Sequence, residues 1–523
     1  MIDLASYVCG RWVVGEGTPS ILVNPATEAP LARASTEGID FEATLSFARA
    51  RGGVALRAMT FGERGELLRA MSRCIFAKRD ELLAIAVANG GNTRSDAKFD
   101  VDGATATLTA YADLGRELGD VRLLPDGEGV SLGRSARLFG RHVLVPRTGV
   151  AVLVNAFNFP AWGFAEKAAC ALLAGMPLVL KPATSTCMLA HRIVELLVGE
   201  QVLPEGALSL VCGPSGDLAD RLGGQDVLAF TGSSVTAAVL RAGRAFTHAS
   251  AHMNVEADSL NAAVLGPDVD VDGDLGNLFV GDVVRDMTQK AGQKCTAIRR
   301  VYVPAEKVDA VLALLSDRLS AIRVGDPSRE EVTMGPVATA KQLDDVRDGI
   351  GALAACARTV TGGPGSLDGA GVGKGKGYFV APTLLHSASP RAGDAVHQRE
   401  VFGPVATVMP YDGAASTAVG LVADGGGGLV SSVYSDDREF VRAAVLGMAP
   451  FQGRVTIGSS KVASQAVPPG TVLPQLLHGG PGRAGGGGEL GGRFGLGVYL
   501  QRVALQGERS FIEEVAGVRS PGR

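Results

Sequence analysis

The sequence predicts an α/β protein built as two lobes on parallel sheets. Three observations carry that reading. From residue 148 to about 240, short apolar runs alternate with longer amphipathic stretches at the pace of βαβ units. The same alternation resumes at 261. A chain of 523 residues is also well past the size at which a single core keeps growing.

The elements follow in order. Between about 60 and 90 the apolar residues Leu67, Leu68, Met71, Ile75 and Phe76 recur at helical spacing with charged residues between them. The segment 120–146, with "GDVRLLPDGEG" and few helix signals, looks like an excursion from the first lobe. "TGVAVLVNA" then reads as a buried strand, and "WGFAEKAACALLAG" as a helix closed by Gly175. Strand "PLVLK", helix "TCMLAHRIVELLVGE", strand "ALSLVC", short helix "DLADRLGG", strand "VLAF" and a helix after "TGSS" complete the first lobe. An open parallel sheet binds ligands at the carboxyl ends of its strands, so chemistry is sought there.

The second lobe opens with strand "NAAVLG" at 261–266, followed by helical stretches to 290 and from about 305 to 322. Residues 358–377 read as a glycine-rich surface loop. A second glycine-rich stretch, "LHGGPGRAGGGGELGG", precedes "GVYLQRVALQ", where Val498, Leu500, Val503 and Leu505 suggest a half-buried strand with a break.

Composition excludes several classes. Charged residues are 20% of the chain and the net charge is -4, which suits a soluble globular protein and implies no nucleic-acid partner. The longest apolar run, "AACALLAGMPLVL", is too short for a membrane span and contains a proline. No basic residue precedes Arg11, so a secretory signal is not expected. Seven scattered cysteines with no C-x-x-C pair suggest neither a disulfide framework nor a structural metal site, and a reducing cytoplasm fits them. G-x-G-x-x-G after the first strand, the Walker loop, H-E-x-x-H and G-x-S-x-G are all missing from the sequence.

Of the seven cysteines, Cys295 in "KAGQKCTAIRR" stands apart, with Lys294, Arg299 and Arg300 close in sequence. An ordinary thiol is only a few per cent thiolate at pH 7, and nearby positive charge raises that fraction. The charges alone leave open whether Cys295 is core filler or a nucleophile.

"AGQKCTAI" resembles the nucleophile segment of the aldehyde dehydrogenase superfamily, and four further segments resemble its other motifs in the same order. "NAFNFP" maps the oxyanion asparagine onto Asn158. "VLKPATS" places Lys181 and Thr184 at the cofactor's adenosine ribose, and "FTGSS" places Gly232 and Ser233 by its pyrophosphate. "EVFGP" places Glu400 on the nicotinamide ribose and Phe402 beside the ring. The general base maps onto Glu256 in "NVEADSLN", although the family's two following glycines are here Ala257 and Asp258. No metal is implied.

The resemblance covers essentially the whole chain. It implies the aldehyde dehydrogenase fold, with a Rossmann-like cofactor domain at 1–119 and 147–258 and an α/β catalytic domain at 259–470. Residues 120–146 and 471–523 would form a β oligomerisation arm with the C-terminal strand. A homodimer or a dimer of dimers is expected, because relatives pair such a strand across subunits.

The spellings "NVEADSLN", "GQKCTAIRR" and "LHGGPGRAGGGGELGG" are similar to those of the branch acting on CoA-linked semialdehydes in aerobic degradation of benzoate and phenylacetate. Nothing after "VALQGERSFIEEVAGVRSPGR" could supply the hydratase domain of the phenylacetate ring-opening enzyme, so a stand-alone enzyme of the benzoate route is expected. The phenylacetate-route semialdehyde or a generic aliphatic aldehyde is the alternative substrate, and a non-catalytic binding protein on the same fold is a minor alternative. NAD-preferring relatives often carry glutamate where this chain has Thr184. A neutral threonine beside Lys181 would accept a 2′-phosphate that glutamate repels, so NADP is expected over NAD.

Overall fold

In the computed structural model, which describes residues 1–517, the parallel strands of the first lobe are mostly buried. Their order in space is His252–Glu256, Val227–Thr231, Ala151–Val154, Leu178–Lys181, Leu208–Leu210, Ser6–Val8 and Arg11–Val13. The first five run parallel, and the two N-terminal strands extend the sheet antiparallel. From Ala151–Val154 the chain winds outward to one side and then returns to add Val227–Thr231 on the other. That reversal opens a crevice at the carboxyl ends of these two strands, the usual place for a ligand in such a sheet.

Helix Trp162–Leu173 lies at the centre of this lobe. Every residue in it except Gly163 is buried, so it is enclosed on all sides rather than amphipathic, with Glu166 and Lys167 as its buried charged residues. The chain leaves it through Gly175 at φ 90°, a conformation that favours glycine, and a Cβ there would lie 2.2 Å from the Arg64 guanidinium. Cutting Leu172 back to alanine in so dense a core would cost about 2–5 kcal/mol.

The second sheet has the order Arg358–Thr361, Thr383–His386, Val405–Tyr411, Arg300–Pro304, Ala262–Leu265, Gly428–Tyr434 and Gln452–Gly458. Only its first strand is antiparallel to its neighbour. That strand occupies the start of the segment expected as a glycine-rich loop; the loop proper begins at Gly362, after Thr359 and Thr361 have found partners on Thr383–His386.

A third, three-stranded sheet joins Leu124–Ser131, Leu138–Pro146 and Leu500–Glu508, all antiparallel. The C-terminal strand expected from "GVYLQRVALQ" is therefore present, but Val498 lies outside it. Residues 471–499, grouped with this arm from sequence, lie elsewhere. They form a small hairpin, Leu477–Gly479 with Gly488–Leu490, tied to the first lobe through Gly487 N–H donating to Val255 O and Ala257 N–H donating to Ala484 O. The last predicted stretch, "VRSPGR", lies outside the described residues. Among the described residues no helix is long and apolar enough to cross a membrane.

Candidate active site

Glu256 is the last residue of strand His252–Glu256, and the hairpin bonds on either side fix its backbone. Cys295 arrives from the other lobe. After helix Asp274–Thr288 the chain turns through Lys290, Ala291 and Gly292, all with φ between 52° and 68°. At Gly292 a Cβ would fall 2.2 Å from Gly403 O, so only glycine admits the close approach that presents the next residues. Asn261 Nδ2 then donates to both Cys295 O and Ala297 O at 2.8 Å, clamping the loop.

The basic neighbours of Cys295 do not act on the thiol as their sequence positions suggest. Lys294 Nζ is bound to Asp286 at 2.7 Å and Gln289 at 2.9 Å, Arg299 donates to the carbonyls of Gly292, Lys294 and Gly403, and Arg300 to those of Leu260, Leu421 and Val422. These cations brace the loop. Burial and the adjacent Glu256 carboxylate instead push the Cys295 thiol well above its ordinary range.

Cys295 shares a narrow pocket with Glu256, Asn158 and His478, walled by Phe99, Phe159, Trp162 and Val472. The rings of Phe99, Phe159 and Trp162 meet edge to face with centroids 5.0–6.0 Å apart, a rigid apolar wall. Asn158 Nδ2 donates to Gln293 O at 2.9 Å, which fixes the amide with one N–H still unspent. His478 Nε2 lies 3.2 Å from Glu256 Oε2, and both side chains are buried. Burial works to raise the Glu256 carboxyl, but His478, Lys167 and the thiol bring it down to about 2. Behind it, Lys167 Nζ meets Glu489 Oε2 at 3.1 Å and Asn254 Nδ2 donates to Glu489 Oε1 at 3.0 Å. Glu166, next along the helix, is pushed up to about 7 by burial.

A cleft at the carboxyl ends of the first sheet adjoins this pocket. Lys181 ends its strand with a buried ammonium whose one bond is to Pro182 O at 2.7 Å, and burial lowers its pKa. Thr184 opens the next turn, half-buried. Gly232 N–H donates to Glu256 O, linking the cleft to the pocket, and exposed Ser233 caps helix Ser234–Arg241 through Thr236 N–H. Glu400 accepts from Ser259 N–H at 3.1 Å through Oε2, while its buried Oε1 has no hydrogen-bond partner. Burial pushes its carboxyl up to about 7. Phe402 stands edge-on to Phe157, with centroids 5.8 Å apart. A carboxylate oxygen with no hydrogen bond, 3.8 Å from Arg299, and a separate buried lysine are groups that fit a ligand rich in hydroxyls, as a nicotinamide dinucleotide is.

Residues 12–501 match the model of the aldehyde dehydrogenase family. The chain belongs to the aldehyde dehydrogenase family. It is 44% identical, over 92% of its length and 93% of the relative's, to the 3,4-dehydroadipyl-CoA semialdehyde dehydrogenase of Aromatoleum evansii. It is 28% identical to the lactaldehyde dehydrogenase of Escherichia coli over 95% of this chain and 96% of the relative. The crystal structure of lactaldehyde dehydrogenase from Escherichia coli superposes with a TM-score of 0.84 at 25% identity, covering 97% of this chain and all of that one. As a member of the family, the protein is an NAD(P)-dependent aldehyde dehydrogenase.

Within this aldehyde dehydrogenase the structure brings Cys295, Glu256 and Asn158 into one pocket, while Lys181, Thr184, Gly232 and Ser233 lie at the carboxyl ends of first-lobe strands and Glu400 and Phe402 lie before strand Val405–Tyr411. Sequence reasoning missed His478, Lys167 and Glu489, which complete the surroundings of Glu256. Their signal was faint: "LHGG" and "GGEL" sit inside a stretch whose composition reads as loop. Asp258, which departs from the family motif, also has a place. It accepts from Ser234 N–H at 3.0 Å and Ser234 Oγ at 2.5 Å, so a carboxylate stands at the N-terminus of helix Ser234–Arg241.

Proposed function

We propose that this enzyme oxidises a CoA-linked semialdehyde to the free acid through a thioester on Cys295. The substrate we favour is 3,4-dehydroadipyl-CoA semialdehyde, in aerobic benzoate degradation. The observation that carries the chemistry is the meeting of Cys295, Glu256 and Asn158 in one pocket from two different lobes. The substrate rests on the 44% identical relative, which matches along nearly its whole length.

The roles follow from the groups present. The Cys295 thiol releases its proton to solvent, and the thiolate adds to the aldehyde carbon. The free N–H of the Asn158 amide and the Cys295 backbone N–H face the oxygen that becomes negative, and one such donor is worth a factor of about 10² to 10³. A bound nicotinamide dinucleotide would supply the acceptor for the hydride that leaves this carbon. A thioester then remains on Cys295. Glu256 takes a proton from water, the water oxygen adds to the thioester carbon, and the Cys295 sulfur departs as the acid forms. His478 supports this role by keeping Glu256 ionised and aimed, and Lys167, held in place by Glu489, adds to that effect from behind. A base so placed favours hydrolysis over transfer of the acyl group to free CoA.

Lys181 and Thr184 would hold the adenosine end of NADP, Gly232 and Ser233 its pyrophosphate, and Glu400 and Phe402 the nicotinamide riboside. The assembly we favour is a homodimer or a dimer of dimers formed through the three-stranded arm, which exposes Val130, Leu132, Leu138 and Val503.

The test compares kcat/KM for a CoA-linked semialdehyde with that for an aliphatic aldehyde of equal chain length, followed by growth of reduced-nicotinamide absorbance. The CoA-linked substrate is expected to be favoured by about tenfold or more, and Cys295→Ala is expected to abolish both signals. Equal constants would remove the substrate assignment, and an unchanged rate in Cys295→Ala would remove the chemistry.

A further inference from the structure

The contact between His478 and Glu256 creates a second possibility at the same place. Cys295 Sγ, a Glu256 carboxylate oxygen and a His478 ring nitrogen all lie within 4.8 Å of one another. Sulfur, imidazole and carboxylate are the three ligand types that zinc uses. Four ligands at zinc's bond lengths of about 2.0–2.3 Å stand roughly 3.3–3.8 Å apart, so three atoms already this close need little movement to share one ion. Glu256 Oε1 is buried without a hydrogen-bond partner, an acceptor already stripped of water and available to a cation. Cys295 as a residue is only partly covered, and it lines the pocket together with Glu256 and His478.

We propose that the Cys295, Glu256 and His478 side chains form a binding site for one thiophilic divalent cation of the zinc class, and that the bound ion holds the enzyme reversibly inactive. Binding forms bonds from the metal to Sγ, to a Glu256 carboxylate oxygen and to a His478 ring nitrogen. The thiol proton leaves to solvent, no electrons are transferred, and a water completes the fourth position. The sulfur then no longer attacks a carbonyl and the carboxylate no longer takes a proton from water. Removing the metal with a chelator restores both. Asn158, which donates through nitrogen, takes no part.

The experiment measures binding on the chelator-stripped enzyme with no aldehyde present, so it does not depend on the substrate proposed above. Cobalt(II) serves as the spectroscopic probe and zinc(II) as the calorimetric ligand. The expected result is one equivalent bound, a sulfur-to-cobalt charge-transfer band in the near ultraviolet, and slower alkylation of Cys295 by iodoacetamide when zinc is present. His478→Asn is expected to weaken zinc binding by at least about tenfold, and Cys295→Ser to remove the band. NADP binding by each variant checks that the fold has survived. If His478→Asn fails that check, Cys295→Ser decides alone. Loss of the band in Cys295→Ser supports the site; no band in the wild type, or a band and affinity that survive these substitutions, overturns it.

Discussion

The two seven-stranded sheets are alike in size and mostly parallel, yet they meet the active site with opposite ends. In the first lobe Asn158 follows strand Ala151–Val154, Lys181 ends Leu178–Lys181, Gly232 follows Val227–Thr231 and Glu256 ends His252–Glu256, all at carboxyl ends. In the second, Cys295 precedes strand Arg300–Pro304, and Glu400 and Phe402 precede Val405–Tyr411, at amino ends. The rule that ligands sit at carboxyl ends therefore locates half of this site and misplaces the other half. One lobe thus presents the proposed general base at a strand end and the proposed oxyanion donor just after one. The other delivers a sulfur on a loop braced by buried lysine and arginine side chains.

The comparison divides the chemistry into steps that separate variants can break. The largest effect is expected from Glu256→Gln, on the first lobe. It keeps the shape of the base but removes its proton affinity, and steady-state turnover should fall by roughly 10² to 10⁴. A single-turnover burst of reduced cofactor should outlast the loss of turnover, with a thioester trapped on Cys295 and visible by intact-mass spectrometry. A uniform loss with no trapped thioester would mean that Glu256 is needed only before hydride transfer. Next comes Asn158→Ala, expected to lower the rate of the burst itself by about 10² to 10³ while NADP affinity stays unchanged. A weakened cofactor with a normal burst would place Asn158 in the cleft rather than at the oxyanion.

How much of this was legible in the sequence differs between the lobes for a physical reason. Asn158, Lys181, Glu256, Glu400 and Cys295 each lie in a short contiguous segment that resembles a motif of the family, so the resemblance could point to all five. His478 and Glu489 were not, because they reach the pocket through pairings far apart in the chain: Lys167 and Glu489 are 322 positions apart. The same limit misled the reading of Lys294, Arg299 and Arg300. Sequence shows that these cations are near Cys295 but not that their side chains turn to Asp286 and to backbone carbonyls. The parallel sheets and the central helix were visible in periodicity, whereas the hairpin 477–490 was hidden by its glycines.

The pairing of Cys295 with Glu256 also sets a pH dependence. Burial and Glu256 hold the thiol protonated near neutrality, while Glu256 itself ionises at about 2. In the free enzyme kcat/KM should therefore climb with pH, by up to about tenfold per unit, until the thiol titrates. No acid limb from Glu256 should appear between pH 4 and 6. A limb in that range that vanishes in Glu256→Gln would show that His478 does not hold the carboxylate. The sign for stability is separate: a carboxyl lowered from its ordinary 4.5 contributes stability above that pH, and the contribution is lost as the pH falls towards 2.

The smallest effect tests the cleft. Thr184 is half-buried and neutral, and Lys181 beside it spends its one bond on a backbone carbonyl. Thr184→Glu adds a negative charge within reach of the proposed 2′-phosphate and an acceptor for the ribose hydroxyls of NAD. Partial exposure screens the repulsion, so kcat/KM with NADP should fall by roughly tenfold while that with NAD holds or rises. Because the proposed partner of Thr184 is the adenosine end of the cofactor, kcat with saturating cofactor should barely change. A drop in kcat with both cofactors would mean that this turn of the first lobe also sets the position of the nicotinamide against the sulfur delivered by the second.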